Sequence, residues 1–219
     1  MNIANSPSAS LPDAQLPVPD RLSRNPPALH NITGKRVGIV GLGGLGSNIA
    51  MMLARAGVTS FRLADFDTVS IENLNRQHYF PRHLGQKKTD ALAAQIRTLS
   101  PSVGLELWCR RIEERDLDEF CHGCDVLVEA VDDAVTKAML FSWFVRHSPP
   151  GLWLVTASGV GGLEPANEIR TVRLAERVVA CGDFVTSSEE QNGVCAPRVM
   201  IAAAHQALAV LRILAGMEF

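Results

Sequence analysis

The 219-residue sequence has no excess of charge of either sign: 21 Lys and Arg stand against 23 Asp and Glu, for a net charge of -2. A basic field of the kind that holds nucleic acid is therefore missing, and no nucleic-acid partner is expected. The apolar runs are short or broken by charge, so no membrane-spanning segment is expected. No charged-then-apolar stretch of the secretory type opens the chain. The five cysteines are an odd number at ordinary density. That argues against a disulfide framework and sets the expected location in a reducing cytoplasm. Cys121-His122-Gly123-Cys124 is a lone CxxC. A closed zinc site takes four ligands, so no structural zinc is expected. Aromatics make up 5%, with a single tyrosine, Tyr79. No well-placed Tyr-Lys pair is therefore available for one common kind of oxidoreductase chemistry. Hydrophobic residues make up 47%, enough to bury the core of one α/β domain.

Residues 1–27 hold six of the twelve prolines and are expected to form a flexible arm. Residues 28–219 are expected to be one nucleotide-binding domain. Within it, apolar runs at 36–40, 60–64, 103–109, 126–128 and 153–156 read as strands. They alternate with helices at 45–56, 86–99, 116–121 and 134–147. That alternation predicts an α/β, Rossmann-like fold: a mostly parallel sheet flanked by helices. After Gly159 the pattern changes to two antiparallel strands, 168–174 and 177–181. A long, almost wholly apolar final helix follows at 197–215, with Pro197 in its first turn.

Gly41, Gly43 and Gly46 have GxGxxG spacing at the end of the first strand. Such glycines serve a tight turn, the approach of a phosphate to the backbone, and close helix–strand packing. Asp65 follows Gly46 by 19 residues, near the roughly 20 expected of a ribose-binding acid. Asp67 is assigned either to the nucleotide site beside Asp65 or to capping the following turn. Asn73, Asn75, Arg76 and Gln77 then crowd four hydrogen-bonding side chains into five residues. This is either a solvated loop or a phosphate clamp, in which arginine grips two oxygens and the amides orient others. Lys87 and Lys88 open the next helix against its dipole, which calls for an anionic partner. Asp132 and Asp133 follow the fourth strand, where open α/β sheets bind ligands. Asp132 suits magnesium beside a nucleotide; helix capping explains either aspartate equally well.

Together these residues resemble the ThiF/MoeB/HesA family, the bacterial relatives of ubiquitin-activating enzymes. The resemblance runs from about Arg24 to near the end of the chain. Its segments are Gly-Leu-Gly-Gly-Leu-Gly at 41–46, Asp-Phe-Asp at 65–67 and Asn-Leu-Asn-Arg-Gln at 73–77. Gly-Gln-Lys-Lys at 85–88, the Asp132 turn, Thr-Ala-Ser-Gly at 156–159 and Ala-Pro-Arg-Val at 196–199 complete the set. Arg24-Asn-Pro-Pro27 and Cys181-Gly-Asp-Phe184 are similar to the short, zinc-less ThiF-type proteins of thiamine biosynthesis.

The resemblance implies ATP-dependent adenylation of the C-terminal glycine carboxylate of a small ubiquitin-like sulfur carrier resembling ThiS, with release of pyrophosphate. It places Asp65 on the ribose and the loop of Gly41, Gly43, Gly44 and Gly46 against the nucleotide. Asn73, Arg76 and Lys88 would touch the phosphates, Asp132 would bind magnesium, and Arg24 would enter the site of a partner subunit in a homodimer. The same chemistry on a molybdopterin-synthase-type carrier or on tRNA, and a binding module without turnover, are the competing readings. An NAD-dependent oxidoreductase leaves Asn73 to Gln77 without a role. Cys181 and Cys195 are expected to be buried thiols.

Overall fold

The computed structural model describes residues 22–186 and 193–217. Seven strands form one sheet: β1 (Arg36–Val40), β2 (Ser60–Ala64), β3 (Gly104–Trp108), β4 (Val126–Glu129), β5 (Trp153–Ala157), β6 (Arg170–Ala175) and β7 (Val178–Gly182). Their order is β3-β2-β1-β4-β5-β7-β6. Every neighbouring pair is parallel except β6 and β7, which are antiparallel. The helices are α1 (Gly44–Ala56), α2 (Lys88–Leu99), α3 (Leu117–Cys121), α4 (Ala134–His147) and α5 (Ala196–Leu214).

Successive strand residues face opposite sides of a sheet, and here both sides are buried. Ile39, Val128 and Val155 point into one core, with Ile49 and Leu53 of α1, Leu92 and Ile96 of α2, and Val199, Ala203 and Val210 of α5. Val40, Leu127 and Leu154 point into a second core, with Phe120 of α3 and Leu140 and Trp143 of α4. This is why the central strands read as unbroken apolar runs rather than as alternating ones. The final helix is apolar because one side packs on α1 and on the sheet.

On the second face the terminal nitrogens of one buried arginine are matched locally, while its Nε has no hydrogen-bond partner. Arg62 of β2 is 6% exposed. Its guanidinium donates to the carbonyls of Glu119, Phe120 and His122 at the end of α3 and pairs with Glu106 at 2.7 Å. That satisfies carbonyls a helix end would otherwise leave unpaired. Cys121 and Cys124 lie beside it. Burial pushes the Cys121 thiol well above its ordinary value and the Cys124 thiol up to about 11.

Of the arm expected at 1–27, residues 1–21 lie outside the described residues. Residues 22–27 rest on the domain. Asn25 Nδ2 donates to the carbonyl of Ala56 at 2.8 Å, and Leu22 lies beside Gly57, whose φ of +104° ends α1.

The sheet order reverses between β1 and β4. In open α/β sheets that switch point, outside the carboxyl ends of the strands, is where ligands bind.

Candidate nucleotide site

A cavity of about 840 Å³ opens at that switch point. Its walls come from the carboxyl ends of β1, β2, β4 and β5, from the β3–α3 loop and from the start of α5. The size suits a ligand such as a nucleotide.

The glycine loop forms one wall. Gly41 has φ +89°, and a Cβ there would sit 2.6 Å from the Ala130 carbonyl. A Cβ on Gly46 would lie 1.9 Å from the Gly41 carbonyl. Gly46 therefore serves packing and does not line the cavity. Gly43 and Gly44 do line it. Gly43 is the N-cap residue of α1 and offers no side-chain cap. The first turn of a thirteen-residue helix thus keeps amides available to an anion. A Gly46→Ala substitution is expected to unfold the loop or the whole protein, because backbone on both sides must move. Circular dichroism and thermal melting check this, and a wild-type melting temperature would contradict it.

Asp65 fastens that loop. Its Oδ2 accepts from the Leu42 amide at 2.7 Å and its Oδ1 from the Asp67 amide at 2.8 Å. The turn after β2 is thus held by Asp65, and the capping role assigned to Asp67 is corrected. Asp67 instead pairs through Oδ2 with Lys88 Nζ at 2.8 Å, with Asp65 Oδ2 3.9 Å from the same ammonium. Lys88 is 5% exposed and lines the cavity. The anionic partner that its helix position calls for is this aspartate pair. Tyr79 supports the loop from behind, its hydroxyl donating to the Leu42 carbonyl at 2.9 Å.

The run at 73–77 divides. Arg76 and Gln77 line the cavity, whereas Asn73 and Asn75 do not. Asn73 Oδ1 accepts from the Ser70 amide and closes a tight turn, while Asn75 Oδ1 accepts from Arg76 Nη1 at 2.8 Å. Asn75 therefore steadies the arginine and Asn73 closes the turn before it, and neither lines the cavity. The Arg76 stem passes over Gly44, where a Cβ would approach its Cγ to 3.5 Å. Gln77 is 7% exposed, and its Oε1 is buried with no hydrogen-bond partner.

The two aspartates after β4 take different roles. Asp133 caps α4, accepting from the Thr136 amide at 2.8 Å. Asp132 lines the cavity and makes no hydrogen bond or ion pair among the described residues. Among the described residues of this wall, its carboxylate is the one acid not committed to protein partners. It suits a divalent cation that takes one carboxylate and completes its shell with phosphate oxygens and water.

Arg24 is exposed in a turn beside the far end of α1 and does not line the cavity. A thirteen-residue helix is about 20 Å long. From that position Arg24 does not serve the site of its own chain.

Lys137 was not singled out from the sequence. Its Nζ contacts both oxygens of Glu129 at 2.6 and 2.7 Å and the Ala157 carbonyl at 2.9 Å, beside the cavity. Glu129 is 1% exposed and also accepts from Thr156 Oγ1. A carboxylate ending a buried apolar strand needs a cation, and Lys137 is the first basic residue after it in the sequence. That was the available signal. Arg111, also in the cavity wall, gave none.

Cys181 is buried as expected, and burial pushes its thiol up to about 11. Cys195 corrects its expectation: it is only half-buried, at the N-cap of α5. In native protein at neutral pH, Cys121 and Cys181 are expected to resist alkylation while exposed Cys109 reacts, because the thiolate is the nucleophile. Mass mapping after brief iodoacetamide treatment tests this; early labelling of Cys181 would contradict it. Among the described residues, no group of three or more His, Cys, Asp or Glu side chains comes together as a metal cluster.

Comparison with known proteins agrees with this architecture. The chain is 30% identical over 185 residues to the sulfur carrier protein ThiS adenylyltransferase of Escherichia coli K12, covering 82% of this chain and 72% of that protein. It is 26% and 29% identical to the tRNA threonylcarbamoyladenosine dehydratases of Haemophilus influenzae and Escherichia coli K12, over 70% and 69% of this chain. It spans 58% and 56% of the length of those two dehydratases. The crystal structure of the Escherichia coli dehydratase TcdA superposes with a TM-score of 0.78 at 21% identity, covering 90% of this chain and 94% of that chain. That likeness establishes the shared fold. A family model described as the ThiF family matches residues 21–218, and the chain therefore belongs to the ThiF family.

Proposed function

We propose that the protein is an adenylyltransferase that joins AMP to the C-terminal carboxylate of a small ubiquitin-like, ThiS-like sulfur carrier in thiamine thiazole biosynthesis, in the cytoplasm. The observation that carries this reading is the ring of groups around one cavity. The glycine loop, Arg76, Lys88 and the uncommitted Asp132 all line it. The ThiS adenylyltransferase named above supports the choice of acceptor.

In this reading ATP lies along the glycine loop with its ribose at Asp65 and its phosphates at Arg76, Gln77, Lys88 and the start of α1. Magnesium, held by Asp132 and phosphate oxygens, would supply charge neutralisation. A carboxylate oxygen of the carrier attacks the α-phosphorus, the bond to the bridging α–β oxygen breaks, and pyrophosphate leaves. No general base is required, because a terminal carboxyl of pKa roughly 3.5 is ionised at neutral pH. The difficulty is to bring two anions together, so cations and positioning supply most of the rate. Lys88 is held for this task by Asp67 and Asp65. Lys137 is neutralised by Glu129 and ties the ends of β4 and β5 together. Arg24 acts in a second copy of the chain, which makes the working form a homodimer.

ATP–pyrophosphate exchange, measured separately with a ThiS-like carrier, a molybdopterin-synthase-type carrier and tRNA, tests the acceptor. Exchange is expected with the ThiS-like carrier ending in Gly-Gly. Exchange with only one of the other acceptors would keep the chemistry and overturn the acceptor. A tRNA acceptor is the second reading because of the two dehydratases, but the net charge of -2 gives it no electrostatic support.

A further inference from the structure

Two neighbouring arginines leave β3 with different fates. Arg110 stacks on Trp108 at 4.4 Å and pairs with Asp116 at 3.2 Å, so its charge is matched by the fold. Arg111 makes no hydrogen bond or salt bridge among the described residues. Its Cζ lies 4.2 Å from the centroid of the Phe66 ring, and both side chains line the cavity. Phe66 is 45% exposed, on the cavity side of the loop after β2. The guanidinium also helps hold the Asp133 carboxyl below its ordinary value, after the larger contributions of Thr136 and the local amides. Arg111 therefore stands between the end of β2 and the start of α4.

Gly43, Gly44, Arg76, Gln77 and Lys88 line the cavity, with Arg76 over Gly44 and Asp65 close to Lys88. Val40, Ala64 and Ile112 of the second core line it too, together with Phe66 and the charged Arg110, Arg111, Asp132, Asp133 and Lys137. If the phosphates and ribose lie as proposed above, the base meets the wall of Phe66 and Arg111, and Arg111 forms no salt bridge there among the described residues.

We infer that Arg111, backed by the Phe66 ring, is the base-recognition residue of the nucleotide site, its guanidinium plane stacking on a purine. This rests on the nucleotide reading above. A planar cation sandwiched between an aromatic ring and a base gains from stacking and from the π-face of each. The larger surface of a purine gains more than that of a pyrimidine.

Calorimetry with AMP, ATP, CTP and inorganic tripolyphosphate, on wild type and Arg111→Ala, tests the assignment. The substitution is expected to weaken AMP and ATP by the same factor, about tenfold. It should leave tripolyphosphate unchanged and narrow the preference for ATP over CTP. Arg111→Lys keeps the charge but not the plane and should recover little of the loss. Wild-type protein that binds no nucleotide would overturn the nucleotide reading itself. Wild-type binding of AMP that survives Arg111→Ala would overturn only this assignment. So would an equal loss for tripolyphosphate, an unchanged ATP-to-CTP ratio, or full rescue by lysine.

Discussion

Arg76→Ala is expected to lower ATP–pyrophosphate exchange by about 1,000-fold or more while the protein stays folded. A positioned guanidinium that meets charge developing on a phosphoryl group carries a contribution of that order. The side chain is half-buried and its hydrogen bonds go to Asn75 and the Glu72 carbonyl within its own turn. Its removal leaves no buried charge behind, so the melting temperature should move by only a few degrees. Lysine should not restore activity, because a point charge does not grip two oxygens. Asp132→Ala is expected to be equally inactive, with the same intact fold. An Arg76→Ala enzyme within tenfold of wild type would remove the phosphate clamp from the account.

Among the buried ion pairs, the largest stability effect is expected at Arg198. This arginine is 3% exposed at the start of α5, and its Nη2 donates to Asp183 Oδ2. Its remaining donors go to the carbonyls of Gly161, Glu164 and Pro165. Asp183 in turn accepts from the amides of Val185 and Thr186. The pair thus fixes the turn after β7, where Phe184 has φ +64° and Thr186 borders the cavity. Removing one partner of a buried pair costs about 3–5 kcal/mol, or roughly 10 °C in a domain of this size. Arg198→Met alone should therefore melt lower than the double replacement Arg198→Met with Asp183→Asn, which strands no charge. Equal melting temperatures would contradict the pairing. The sign of the pH dependence follows from the aspartate. Burial raises its pKa, but the Thr186 and Val185 amides, the Thr186 hydroxyl and Arg198 together outweigh burial, and the carboxyl titrates below its ordinary value. Its contribution to stability is complete above roughly pH 4, the unfolded value. It is lost as pH falls through the lower folded value.

The strands were legible because a strand buried on both faces is an apolar run, and the helices because glycine and proline punctuate them. Gly57 stops α1, and Pro197 opens α5. Helix α2 begins at Lys88 rather than at Gln86 because Lys87 is extended and bridges to Thr68. The cavity wall was legible where the signal is local: the glycine loop, Asp65 and Arg76 line it, whereas the sequence left the cap to either Asp132 or Asp133 and the structure gives it to Asp133. It was not legible where the partner lies far along the chain. Nothing near Asp67 announces that Lys88 will reach it, and nothing near Asp183 announces Arg198. Asn73 and Asn75 look like ligand contacts in sequence. Their hydrogen bonds go to the turn that presents Arg76 instead. Arg24 is legible only as part of a resemblance, and its position beside the far end of α1 removes it from the site of its own chain.

The central claim is that this site activates a carboxylate by breaking the bond between the α- and β-phosphates of ATP. The direct measurement is the product pair formed from ATP by the purified protein with an excess of a ThiS-like carrier ending in Gly-Gly. The account predicts pyrophosphate in a one-to-one ratio with AMP attached to the carrier terminus, seen as a mass increase of the intact carrier and lost in Asp132→Ala. ADP and phosphate as the products, or an unmodified carrier with no pyrophosphate, would contradict it.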